Sequence, residues 1–304
     1  MSISQEHISQ IASALAEDYL GAPMTDIRLI QGKGEVNQVY EIITHVNKAV
    51  LRVNDYAEFE RFKKEEWCIK KSRANSIATP NILHVGHDEE YSYSLIEFIS
   101  GENGQAIKDN SDTWYVLGKI LHQIHSIPVS GFGDNLSDIT NGNKARWYTY
   151  VEDNIRALES GILIEKELLT STQANKLISL FKDLLNKDFE FGLNHGDYSL
   201  ANIIIPNDGA PNIIDWGSAQ AHIVPHHDLA VIIEESLDEE DEKYASLLSG
   251  YGTIRQDYEA IKEEIQVLQL LDALDKVRWA MDNAPNWIEH HKLRLMKFVK
   301  KAER

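Results

Sequence analysis

The spacing of apolar residues changes along the chain. Over residues 4–20, Ile8, Ile11, Ala12 and Leu15 recur at helical intervals and Gly21 follows as a stop signal, which predicts an amphipathic helix. Three strand-like runs come next, 27–30, 38–44 and 49–53, separated by turn residues. In the third, Lys48, Val50 and Arg52 point to one side and Ala49, Leu51 and Val53 to the other. Residues 58–73 form a second helical segment, with Phe59, Phe62 and Ile69 for its buried face. Runs 82–85 and 93–98 read as further strands. Beyond residue 101 the helical period dominates, with a stripe of Leu117, Ile120, Leu121 and Ile124. Further helices are expected from Trp147, Tyr148 and Tyr150, from near His227, and over 287–301 as a basic amphipathic segment. Two short isoleucine-rich runs, 203–205 and 213–214, break this pattern and predict a buried hairpin.

Polar residues gather around that hairpin. Gly196 permits a tight backbone and Asp197 follows it; Asn202 opens the first strand, and Asp215 ends the second before Gly217 breaks the chain. Three oxygen-bearing side chains are thus held close together. Magnesium, which accompanies nucleoside triphosphates, is a hard cation that prefers such oxygens. In the protein-kinase catalytic loop an Asp takes the acceptor hydroxyl and an Asn five residues later holds metal. A separate Asp before an aromatic residue and Gly supplies the second metal contact. Asp197, Asn202 and Asp215–Trp216–Gly217 reproduce both spacings in the right order. A turn merely rich in Asp and Asn would account for either piece alone, but not for the pair.

The segment His195-Gly-Asp-Tyr-Ser-Leu-Ala-Asn202, followed by Ile214-Asp215-Trp216-Gly217, resembles the aminoglycoside phosphotransferase and choline kinase group of small-molecule kinases. The resemblance extends from about residue 26 to about residue 236. It implies an α+β, bilobal, protein-kinase-like fold. An N-terminal nucleotide-binding lobe over 1–99 would hold an antiparallel sheet and one main helix. A mostly helical C-terminal lobe over 100–304 would carry catalysis and acceptor binding. It also implies ATP (with GTP left open), Mg2+, and transfer of the γ-phosphate to a hydroxyl of a small molecule. Asp197 takes the catalytic place, and Asn202 and Asp215 the metal places.

Other positions follow from the kinase scheme and the resemblance together. Gly34 and Asn37 match the family's phosphate loop, although Lys33 stands where a second Gly is common. Arg52 occupies the place of the cation that grips the α- and β-phosphates, as in many members of the resembled group. Glu65, four residues before Ile69 on one helix face, is chosen to fix its head group, with Glu66 as competitor. The main chain at Glu97 and Ile99 corresponds to the hinge that hydrogen-bonds adenine. Asp228 matches a family Asp that supports the catalytic loop.

Charge and composition narrow the class. The chain has 304 residues, a net charge of −18 and a single cysteine, Cys68. This acidity argues against nucleic acid as a partner. Residues 1–98 contribute −5 and the remainder −13, a field that attracts a cationic acceptor. The N-terminal residues lack a secretory pattern and no apolar stretch approaches bilayer length, so the expectation is a cytoplasmic protein with no membrane partner, monomer or homodimer. Cys68 reads as a buried helix residue.

Only residues 216–226 separate Asp215 from the next helix, and Gly196 replaces the Arg that reads an activation-loop phosphate, which argues against a phosphorylation-switched protein kinase. His122 and His125, with no carboxylate partner, read as packing or surface residues; His226 and His227 read as structural or solvent-facing. Acidic residues of 234–242 and the set Asp275, Trp279 and Asp282 are candidate acceptor walls. Two other classes stay in view: a nucleotide-binding regulatory protein with weak catalysis, and a metal-dependent hydrolase built on His195, Asp197, Asp215, His227 and Asp228.

Overall fold

The computed structural model describes residues 4–30, 37–107, 110–207, 209–235, 242–252 and 258–302. They form two compact units, residues 1–110 with 197–219, and 111–196 with 220–304.

In the first unit, Ser4 caps α1 (Gln5–Leu15), its hydroxyl accepting the His7 N–H at 3.2 Å. A wider π-helical turn over Ala16–Leu20 completes the helical stretch, and Gly21 ends it at φ +68°. The sheet follows: β1 (Met24–Leu29), β2 (Gln38–Thr44), β3 (Lys48–Asp55), then α2 (Phe59–Ala74), β4 (Ile82–His87) and β5 (Tyr91–Glu97). Its order is β1-β2-β3-β5-β4, antiparallel throughout. The alternation read in β3 is realised. Ala49, Leu51 and Val53 are buried in one core with Ile8, Ala12 and Leu15 of α1, Tyr40 and Ile42 of β2, and Leu95 of β5. Arg52 therefore emerges on the other face, where it meets α2. Cys68 lies fully buried on α2, and burial pushes its thiol up to about 12.

The short β6 (Glu102–Asn103) precedes the helical unit: α3 (Ser111–His125), α4 (Leu136–Asn141), α5 (Ala145–Glu159), α6 (Ile162–Glu165), α7 (Ser171–Leu185) and β7 (Phe191–Asn194). The hairpin β8 (Ile203–Ile205) and β9 (Asn212–Ile213) belongs to the first unit, because β8 pairs with both β6 and β9. After the hairpin, β10 (Gln220–Ile223) pairs with β7, and α8 (His226–Glu235), α9 (Glu242–Tyr251), α10 (Tyr258–Asn283) and α11 (Ile288–Ala302) follow.

The second unit has its own core, in which Trp147, Phe181, Leu274, Val277, Leu295 and Phe298 come together from α5, α7, α10 and α11. Trp147 is core, whereas Tyr148 is exposed. Helices α3 and α9 approach backbone to backbone. A Cβ at Gly118 would run into the Leu247 carbonyl, and one at Gly250 into the Tyr115 carbonyl. Among the described residues no helix is long and apolar enough to cross a membrane.

The α3–α9 contact leaves no room for a methyl group. Gly118→Ala is expected to lower the unfolding free energy by about 1–3 kcal/mol through overpacking. Urea denaturation measures this, and an unchanged midpoint would contradict so close an approach.

Candidate active site

Asp197 and Asn202 are joined by local geometry. After Gly196, which has a φ of +79°, the chain turns so that Ser199 N–H donates to the Asp197 carbonyl at 2.9 Å. A 3-10 turn over Leu200–Asn202 then brings the Asn202 amide back. Its Nδ2 donates to Asp197 Oδ2 at 2.6 Å and to the Asp197 carbonyl at 3.0 Å. The hairpin register pairs Ile203 with Ile213, and Ile214 N–H donates to the Asn202 carbonyl at 2.9 Å. Asp215 thus lies one residue beyond the cross-strand partner of Asn202.

Asp215 itself is strained into the left-handed region, φ +62° and ψ +67°, which Asp tolerates better than most side chains. The strained turn is pinned from both flanks. Ile213 N–H donates to the Ala78 carbonyl at 2.9 Å, and the buried Trp216 donates through Nε1 to Thr79 Oγ1 at 3.1 Å. On the other side Gly217 sits close to α2: a Cβ there would lie 2.8 Å from Glu65 Oε1.

Arg52 connects these parts. Its Nη1 donates to Glu65 Oε2 and its Nη2 to Asp215 Oδ1 at 3.2 Å, while the guanidinium carbon stands 5.7 Å from the Phe62 ring centroid. Burial opposes the charge on Arg52, but the two carboxylates outweigh it and raise its pKa further. Glu65 is 2% exposed; burial pushes its pKa up and Arg52 pulls against that, in the close contact of an ion pair. Glu65 Oε1 accepts no hydrogen bond, although the Arg61 guanidinium lies beside it and donates through Nε to the Gly217 carbonyl at 3.3 Å. The competitor Glu66 instead pairs with Lys63 and, at 2.8 Å, with Lys70.

Gly34 lies outside the described residues. Glu97 and Ile99 stand at the end of β5, where Glu97 pairs with Ala49 while Arg52 pairs with Ser94. Glu97 N–H is already engaged by the Asn81 carbonyl at 2.8 Å.

Asp228, fully buried in the second unit, accepts His195 N–H and Gly196 N–H, each at 2.8 Å, and faces His125 Nε2 at 3.1 Å. Burial works to raise its pKa; the hydrogen bond from His125 and the charges of His125, His227 and His195 override this and hold the carboxyl at about 2. His125 therefore does have a carboxylate partner, 103 residues away in sequence. His226 is buried against Glu264 at 2.7 Å, and His227 stacks on His222 at 4.4 Å and meets Gln220, so both are structural.

Both Asp228 oxygens are occupied by the loop amides, and among the described residues no three His, Cys, Asp or Glu side chains are grouped to hold a metal. Of the acceptor-wall candidates, Asp275 takes hydrogen bonds from Asn154 and Arg278, each at 3.3 Å, and Trp279 is exposed. The acidic run lies almost wholly outside the described residues. Sequence reasoning missed Arg61, although it sits four residues before Glu65 on the same face, and it missed Tyr251.

The fold is that of the two-lobed, protein-kinase-like α+β class, and solved structures share it. Aminoglycoside phosphotransferase APH(4)-Ia superposes with a TM-score of 0.68 at 16% identity, covering 96% of this chain and 98% of that one. A putative fructosamine-3-kinase from Haemophilus somnus 129PT gives 0.64 at 16%, covering 96% of each. The spectinomycin phosphotransferase APH(9)-Ia, solved with ADP and spectinomycin, gives 0.63 at 15%, covering 99% and 98%. No curated protein sequence matches. The model of the phosphotransferase enzyme family matches residues 26–264, and the chain belongs to that family as a small-molecule kinase.

Asp228 generates a pH prediction. A carboxyl held at about 2 instead of 3.8 stabilises the fold when ionised, so its contribution is complete above pH about 4 and is lost as pH falls to about 2. The shift corresponds to about 2 kcal/mol. Asp228→Asn is expected to be less stable than the parent by at least this amount at neutral pH, with the gap closing below pH about 4. Urea titrations across pH measure it; a gap independent of pH would contradict the assignment.

Proposed function

We propose that this chain is an ATP- and Mg2+-dependent phosphotransferase that moves the γ-phosphate to a hydroxyl of a small cationic acceptor, of the aminoglycoside, amino-alcohol or amino-sugar type. The observation that carries this reading is one buried guanidinium, Arg52, shared between Glu65 and a strained Asp215, in the same unit as the Asn202–Asp197 bond. Neighbouring structures solved with ADP and hygromycin B, or with GDP and kanamycin, support a nucleotide and a small-molecule acceptor. The charge of −13 beyond residue 98 supports a cation.

In this reading Asp197 aligns the acceptor hydroxyl and takes its proton late in the transfer. Its carboxylate is held for that task by the Asn202 amide nitrogen. That bond commits Asn202 Nδ2 and leaves the amide oxygen, with the Asp215 carboxylate, as hard donors that suit Mg2+. When bound, the ion offsets negative charge on the β- and γ-phosphates. Arg52, fixed by Glu65, would meet the α- and β-phosphates, and Asp215 would hold the metal. The adenine edge is met by the Glu97 carbonyl, whose N–H is already used, and by the Ile99 main chain. Little covalent chemistry is asked of the protein; alignment and electrostatics carry the rate.

Three measurements test this. ATP consumption across a panel of aminoglycosides, amino-alcohols and amino-sugars is expected to rise with at least one cationic acceptor. Stimulation by none would favour a regulatory nucleotide binder. Asp197→Asn is expected to lower kcat at least about a hundredfold with nucleotide affinity retained, and a variant with parental turnover removes Asp197 from its role. Asp215→Ala is expected to abolish the Mg2+ dependence of ATP affinity; identical titrations with and without that substitution would count against it.

A further inference from the structure

A chain of buried hydrogen bonds in the second unit runs further than the support of the loop by Asp228. Tyr251, the last residue of α9, places its hydroxyl 3.0 Å from His125 Nδ1, and the opposite ring nitrogen, Nε2, lies 3.1 Å from Asp228 Oδ2. Asp228 in turn holds the amides of His195 and Gly196. Tyr251 and His125 are both 6% exposed. The Tyr251 ring also packs against the rings of His125 and His122, at 5.5 and 5.1 Å.

The direction of each bond follows from the chemistry at its far end. An ionised carboxylate only accepts, and the low pKa of Asp228 keeps it ionised at neutral pH. His125 therefore carries a proton on Nε2. At Nδ1 the ring meets the Tyr251 hydroxyl, which can donate to a bare nitrogen or accept from a protonated one. Without that hydroxyl the ring loses its second anchor and is free to turn its Nε2–H away from Asp228. The position of the hydroxyl is fixed by the α3–α9 contact at Gly118 and Gly250, because His125 ends α3 and Tyr251 ends α9.

We propose that the Tyr251 hydroxyl is a positioning group for the loop before Asp197: by bonding Nδ1 it anchors the far side of the His125 ring, keeps the Nε2–H aimed at Asp228 and so fixes the His195 and Gly196 amides. Its catalytic consequence rests on the reading of Asp197 given above; its effect on the ring and the amides does not.

The test has two structural arms and one kinetic arm. Nitrogen-15 NMR of the parent protein is expected to show a proton on His125 Nε2; a bare Nε2 overturns the proposal. Tyr251→Phe keeps the ring packing and removes only the hydroxyl. Amide exchange at His195 and Gly196 is expected to rise about tenfold in this variant, while the amides of β3 keep parental rates. Unchanged exchange at the two loop amides overturns the proposal.

With an acceptor in hand, Tyr251→Phe is expected to lower kcat about three- to tenfold with the KM for ATP within twofold. The same change made on a His125→Leu background should cost nothing more. A fully additive loss shows that the hydroxyl does not act through His125 and overturns the route. Should no acceptor be phosphorylated, the NMR and exchange arms still decide, so failure of this proposal is distinct from failure of the functional one.

Discussion

One buried cation organises the first unit. The Arg52 guanidinium leaves the sheet on the face opposite the α1 core and is held by a carboxylate from α2 and by another from the turn after the hairpin. Taking an ion pair out of water costs several kcal/mol per ion unless the geometry is close and further donors share the burden. Arg suits that position because its planar fork reaches two acceptors at once, which a lysine ammonium on a single stem does less well. The consequence is mechanical as well as electrostatic. Sheet, helix and hairpin cannot shift independently without breaking a contact to the same group. Trp216, tied to Thr79, and Arg61, tied to Gly217, hold the turn from its two sides.

Asp228 has the corresponding place in the second unit. It is wholly buried and ionised, and that is tolerable because two backbone amides and an imidazole converge on it. In both units a buried charge is thus satisfied by groups far apart in the chain. The first gathers residues 52, 65 and 215, the second residues 125, 195, 196 and 228. Apolar packing supplies the bulk of stability, and these polar hubs set which backbone segments meet.

Much of this was legible from residue order. Alternation in 49–53 assigned Arg52 to the face away from the α1 core, and the isoleucine runs located the hairpin that brings Asn202 close to Asp215. Glu65 rather than Glu66 meets Arg52, because helical spacing to Ile69 marks the buried face. What stayed hidden were contacts set by packing between distant segments. His125 was read as lacking a carboxylate partner because Asp228 lies 103 residues away, and nothing local in α3 announces it. Tyr251 carries no motif at all. Its meaning comes from two glycines, Gly118 and Gly250, whose importance is visible only once the helices are seen backbone to backbone. The two-residue strand β6, which pairs with the hairpin, is likewise too short to have a periodicity to read.

The measurement closest to the central claim is calorimetric titration of ATP, with Mg2+ present, into Glu65→Gln beside the parent protein. Glu65 touches neither nucleotide nor metal in this account and acts only by fixing Arg52. The account expects affinity to fall about tenfold or more while the protein remains folded. Parental affinity in Glu65→Gln would contradict it, because Arg52 would then hold its place without the buried carboxylate.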